Sequence, residues 1–74
     1  MPQRLTWTDA AEIAERLYAL APEEDPLQVR FTDLLRRVTA LPGFADQPEA
    51  ATESRLEAIQ LAWLELTRED AGGR

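Results

Sequence analysis

Carboxylates are the side chains of this sequence that could do chemistry, and they outnumber every other ionisable type. The chain has 14 Asp and Glu against 8 Arg, which gives a formal net charge of −6. Histidine, cysteine and lysine are all absent. A metal site would therefore use carboxylates, carbonyls and water, a ligand set that suits hard or borderline ions held weakly. A carboxylate surface also attracts a basic protein, because opposite potentials steer encounter.

The acids fall into groups along the chain. Glu12 and Glu15 lie opposite the apolar face of the first predicted helix, and the acidic run 23–25 follows it. Glu53 and Glu57 are like charges four residues apart on the last predicted helix, an arrangement that is mildly unfavourable in isolation. Three interpretations stay open: a solvated surface, a docking surface for a basic partner, and a loose carboxylate site for an ion such as iron. The absence of lysine favours the two functional interpretations.

Two aromatic-Thr-Asp triplets, at 7–9 and 31–33, are the other candidates for chemistry. A threonine hydroxyl becomes a nucleophile only beside an activating base, and neither histidine nor lysine is present. We interpret both threonines as helix caps and predict no catalytic residue and no enzyme activity.

Helical spacing of apolar residues predicts the elements that position these groups. A first helix is expected over about 9–20, capped by Thr8 or Asp9, with Asp9 and Glu12 as a capping box. The segment 26–41 keeps the same spacing throughout, which predicts one helix. Its local composition equally supports a short helix followed by a second one that restarts near Thr32.

A third helix is expected to begin near Ser54, where Ser54 and Glu57 form the S-x-x-E capping box. Pro42 and Gly43 predict a turn before it, in a loop over 42–52 that Phe44 anchors to the core. Residues 69–74 resemble a disordered polar tail. The sequence thus predicts one domain over 1–68, all-α, with three helices and room for one extra short helix.

Two apolar residues of the third helix, Leu61 and Leu64, lie off its main apolar stripe. They are either core residues of a thin domain or part of an exposed apolar interaction site. The arginines of the second helix also have two interpretations. Arg36 and Arg37 either pair with Asp33 or form a small basic spot together with Arg30.

The charge and hydropathy of the chain limit its partners. An acidic chain repels phosphate backbones, so we expect no nucleic-acid binding. No apolar run approaches the length of about 20 residues that a membrane span needs, and 1–9 lack the apolar segment of a signal peptide. We expect a cytoplasmic monomer.

Several short strings, taken together, resemble the IscX family, small acidic proteins of bacterial iron–sulfur cluster assembly. The similarity covers about residues 5–66 in order and spacing. The strings are LTWTD at 5–9, Glu12-Ile13, Leu17-Tyr18, DPLQVRFTDL at 25–34, Phe44, Asp46, Pro48, LEAI at 56–59 and Trp63-Leu64.

The resemblance implies a modified winged-helix fold and a non-enzymatic adaptor that docks by its acidic surface on a basic face of a cysteine desulfurase. It implies no obligatory cofactor, and weakly bound iron with Glu12, Glu15 and Asp46 as candidate ligands. The implied partner-binding residues are matching acids and their acidic neighbours: Asp9, Glu12, Glu15, Glu23, Glu24, Asp25, Asp33, Asp46 and Glu57. Trp7, Phe31 and Trp63 also match, as packing residues.

Two departures from the family pattern limit which of the family's expected functions are transferred to this chain. The loop at 44–48 keeps Asp46 as its single acid where family members often have more, which favours desulfurase docking over a loop-centred iron site. Arg36 and Arg37 are not family features. The alternative function is a winged-helix-like regulator that binds or mimics nucleic acid, and an iron buffer that uses Glu12 and Glu15 is a third.

Overall fold

The computed structural model describes residues 4–72, which form three α-helices and two short 3₁₀ turns. The helices are α1 (Ala10–Leu20), α2 (Phe31–Thr39) and α3 (Glu53–Gly72), and the turns are Pro26–Gln28 and Pro48–Ala50. No strand occurs within residues 4–72, although Leu5 and Phe44 form an isolated parallel bridge. The predicted all-α fold with three helices is confirmed. The modified winged-helix relationship stays a prediction.

The helix α1 begins one residue later than predicted, and its first turn is not capped as expected. Asp9 precedes the helix, but its side chain accepts no hydrogen bond from the helix N–H groups. Its Oδ2 instead accepts from the backbone N of Thr6 at 3.0 Å and from the Thr6 hydroxyl at 3.2 Å. The Thr8 hydroxyl lies 2.9 Å from that of Thr6. The predicted capping box at Asp9 and Glu12 is therefore wrong, because the carboxylate is engaged by the preceding turn.

The segment 26–41 is broken, as the second of the two sequence interpretations requires. Asp25 caps the first 3₁₀ turn by accepting from the backbone N of Leu27 at 3.0 Å. Val29 and Arg30 are then extended, with ψ of 123° and 154°, and α2 begins at Phe31. Val29 buries its β-branched side chain in this extended stretch. Thr32 lies inside α2, whose N-cap position is Arg30, so the predicted cap at Thr32 is two residues late.

The helix α3 begins at Glu53 and is capped by Thr52, whose hydroxyl accepts from the backbone N of Arg55 at 3.2 Å. Ser54 lies within the helix, so the predicted capping box at Ser54 is wrong. The helix continues to Gly72, where a disordered tail from residue 69 was predicted. An established helix extends at little cost, because each further residue adds a hydrogen bond to an existing nucleus. Residues 73 and 74 lie outside the described residues.

Two tryptophans organise the core. Trp63 of α3 is fully buried, and Trp7 of the N-terminal segment is 1% exposed. Trp7 donates from Nε1 to the Gln47 carbonyl at 2.7 Å, and its ring meets Phe44 edge-on with centroids 4.9 Å apart. Gly43 adopts the left-handed φ of 85° that the predicted turn requires. Further buried positions come from every helix and from the segments between them: Leu5, Ile13, Ala14, Leu17, Val29, Leu34, Val38, Leu41, Leu56 and Ile59.

Candidate functional site

The nine predicted docking acids divide into those that hold the fold together and those left available to a partner. Four are half-buried and engaged in hydrogen bonds or ion pairs within the chain: Asp9, Glu12, Glu24 and Asp46. Five are exposed, of which Asp25 also caps the first 3₁₀ turn: Glu15, Glu23, Asp25, Asp33 and Glu57. Asp9 and Glu12 are engaged by residues three and four positions away, whereas Glu24 and Asp46 meet partners 13 and 39 residues away that only the tertiary structure brings to them.

Glu24 forms the strongest ion pair of the described residues. Its two carboxylate oxygens accept from Nη1 and Nη2 of Arg37 at 2.6 and 2.7 Å, a bidentate arrangement. This hydrogen-bonded guanidinium lowers the pKa of Glu24 below its ordinary value of 4.5. The pair ties the segment after α1 to α2. Arg37 therefore forms its ion pair with Glu24, and not with Asp33, which was one of the two interpretations of the sequence. Of the basic spot in the other interpretation, Arg30 and Arg36 are exposed.

Asp46 acts as a clamp between the 44–47 loop and the N-terminal segment. Its Oδ2 accepts from the backbone N of Trp7 at 3.1 Å, and its Oδ1 accepts from the backbone N of Gln47 at 2.7 Å. These two N–H donors, the Trp7 bond foremost, lower the pKa of Asp46 below its ordinary value of 3.8. The string Asp46-Gln47-Pro48 could have predicted the bond to Gln47 from the sequence, because an Asp side chain in a turn readily accepts a hydrogen bond from a nearby backbone N–H.

Replacing Asp46 by asparagine is expected to reduce stability at neutral pH and to weaken the loss of stability in acid. Because its pKa is lowered on folding, the carboxylate stabilises the fold above pH 3.8, and that contribution disappears as the pH falls further through the folded-state pKa. Urea unfolding at about pH 7 and about pH 3 measures both effects. The control is Glu49→Gln, an exposed acid of the same loop. An unchanged pH dependence in Asp46→Asn would contradict the assignment.

The three candidate iron ligands do not form a preformed metal site. Both oxygens of Asp46 accept backbone N–H groups, and Glu12 pairs with Arg16 at 3.4 Å. Across the part of the chain that the structure describes, no group of three or more acids is arranged to hold a metal ion. Weak binding of iron through fewer carboxylates stays a prediction.

The exposed acids are distributed over several elements. Glu15 lies on α1, Glu23 and Asp25 lie between α1 and α2, Asp33 lies in the first turn of α2, and Glu57 lies on α3. The side chains of four of them form no hydrogen bond or ion pair with any other described residue: Glu15, Glu23, Asp33 and Glu57. Charges of this kind are fully hydrated and attract a cationic surface at low ionic strength.

The apolar positions on α3 settle one of the open alternatives. Leu61 is 54% exposed, and neither Leu61 nor Leu64 packs against the core. The interpretation of both as core residues is wrong, because the α1-facing side of α3 already supplies Leu56, Ile59 and Trp63. Leu27, in the first 3₁₀ turn, is 56% exposed and was not identified from the sequence as a surface residue.

Residues 5–68 match the model of a protein family described as iron-sulphur cluster assembly. This chain belongs to the IscX family. The match spans nearly all of the described chain, including every candidate docking acid. The resemblance noted in the sequence is thereby confirmed.

A relative in Pseudomonas aeruginosa, named Uncharacterized protein PA3808, is 52% identical to this chain over 61 residues. The aligned region covers 82% of this chain and 92% of the relative. Membership of the IscX family assigns this protein a role in iron–sulfur cluster assembly. None of the described helices is both long and apolar enough to cross a membrane.

Proposed function

We propose that this IscX-family protein is a non-enzymatic adaptor that docks by its acidic surface on a basic face of a cysteine desulfurase and so regulates cluster assembly. Family membership supports the part of the proposal that concerns iron–sulfur cluster assembly. The proposed docking on a desulfurase rests on a group of exposed acids on a chain of net charge −6. These acids are Glu15, Glu23, Asp25, Asp33 and Glu57. Such a surface is electrostatically complementary to a protein surface rich in arginine and lysine.

The proposed mechanism needs no reacting group on this chain. The rigid core holds the carboxylates at fixed positions, so docking costs little conformational ordering of the backbone. A bound adaptor would change the partner's activity by covering part of its surface. The proposal includes a cytoplasmic location. It also includes a modified winged-helix relationship, which the isolated parallel bridge between Leu5 and Phe44 supports.

The proposal is tested by titrating the protein against the cysteine desulfurase of its own organism at increasing ionic strength. The dissociation constant is expected to rise steadily with salt, because each exposed ion pair formed on docking is screened. Isothermal titration calorimetry at about 0.03, 0.1 and 0.3 M salt gives the trend. Absence of binding at the lowest salt concentration would reject the proposal, since electrostatic docking is strongest there.

A further inference from the structure

Three leucines, one in the first 3₁₀ turn and two on α3, lie outside the core. Leu27 and Leu61 are 56% and 54% exposed, and Leu64 is half-buried without packing against the core. A single exposed leucine is ordinary, but a group of them is a feature that needs a reason. We call Leu27, Leu61 and Leu64 the leucine patch.

A hydrogen bond brings the parts of the leucine patch together. Gln60 of α3 donates from Nε2 to the carbonyl of Pro26 at 2.9 Å, which fixes the first 3₁₀ turn against α3. Leu27 follows Pro26 directly. On α3, Leu64 lies one turn after Gln60, and Leu61 lies three residues before Leu64, so both occupy the flank that Gln60 begins. The turn that carries Leu27 thus lies against the helix that carries Leu61 and Leu64.

The rim of the leucine patch is predominantly acidic. Asp25 accepts from the backbone N of Leu27 and is exposed beside it. Glu57 and Glu65 lie one helical turn before and after Leu61, and both are exposed. Arg68, one turn after Leu64, is the cation of this rim. An apolar centre with charges around it has the composition of a protein interface, in which the central contacts are desolvated and the rim stays hydrated.

We propose that the leucine patch is the apolar centre of the docking surface, and that it receives an exposed apolar side chain of the partner that is surrounded by arginine or lysine. The inference rests on the proposed function and names the part of the surface that the partner contacts. Charge complementarity selects this occupant. A second copy of the chain would bring an equally acidic rim against Asp25, Glu57 and Glu65, and like charges across an interface are unfavourable.

The test compares one double variant and one single control variant with the wild type, in the same salt series with the desulfurase. Leu27→Ser/Leu61→Ser is expected to weaken binding about 10- to 100-fold at every salt concentration, because two apolar contacts are lost. The slope of affinity against salt is expected to stay at the wild-type value, since no charge changes. The matched control is Leu20→Ser, a 71% exposed leucine at the end of α1, which is expected to bind as the wild type does.

Each alternative outcome is distinct. Wild-type affinity in Leu27→Ser/Leu61→Ser, with salt-dependent binding intact, overturns the leucine patch and leaves the proposed function standing. Equal weakening by Leu20→Ser also overturns it. Absence of wild-type binding at low salt overturns both proposals. Sedimentation of a wild-type dimer that the double variant converts to a monomer would instead make the patch a self-association surface. Unchanged helical circular dichroism and thermal midpoint confirm that the variants are folded.

Discussion

Replacing Trp63 by alanine is expected to lower the free energy of unfolding by about 3–5 kcal/mol. The side chain is fully buried in α3, among core residues that α1 and α2 contribute, and its removal leaves a cavity that a rigid helix cannot close. A small domain has only about 5–15 kcal/mol in total. The variant is therefore expected to be partly unfolded at 37 °C, which urea unfolding followed by circular dichroism at 222 nm measures.

The two tryptophans provide a matched comparison that tests the reason for this stability. The indole N–H of Trp63 is buried and has no hydrogen-bond partner among the described residues, whereas that of Trp7 donates to the Gln47 carbonyl at 2.7 Å. Phenylalanine removes a similar volume from both sites. Trp7→Phe is expected to cost about 1 kcal/mol more than Trp63→Phe, because it alone breaks a hydrogen bond. Equal costs would show that Trp63 Nε1 has a partner such as a buried water.

Reversing the charge of acids beside the leucine patch is expected to produce the largest change in partner binding. Asp25→Lys/Glu57→Lys should slow association with the desulfurase about 10- to 100-fold at low salt, because a field that attracts the basic face becomes repulsive. Both side chains are exposed, so the main expected cost in stability is loss of the Asp25 cap on the first 3₁₀ turn, about 1 kcal/mol. Association rates from biolayer interferometry at low and high salt measure the effect, which is expected to shrink as salt rises.

The control for the charge reversal is Glu49→Lys/Glu69→Lys, which changes the net charge of the chain by the same amount. Glu49 lies in the second 3₁₀ turn, and Glu69 lies about 18 Å beyond Glu57 along α3. This variant is expected to retain most of the wild-type association rate. Equal slowing in both double variants would mean that total charge, and not the surface around Asp25 and Glu57, determines encounter.

The helices of this protein were predictable because their apolar residues repeat at helical spacing. Ile13 and Leu17 define α1, and Leu56, Ile59 and Trp63 define α3, and all five are buried. Helix ends were less predictable. Ser54 has the capping pattern, yet Thr52 caps α3, and Asp9 binds the turn before α1. Several residues near each end have suitable side chains, and the path of the entering chain selects among them.

The sequence by itself determined the carboxylate surplus, the absence of histidine, cysteine and lysine, and the helical periodicity. It also determined family membership, through strings spread over most of the chain. Only the tertiary structure decided that Glu24 and Asp46 are engaged within the chain. Glu24 meets Arg37 across 13 residues, and Asp46 meets Trp7 across 39. Exposure of Leu61 likewise depends on what packs beside α3. Contacts between distant residues are set by how the helices pack, which local spacing does not specify.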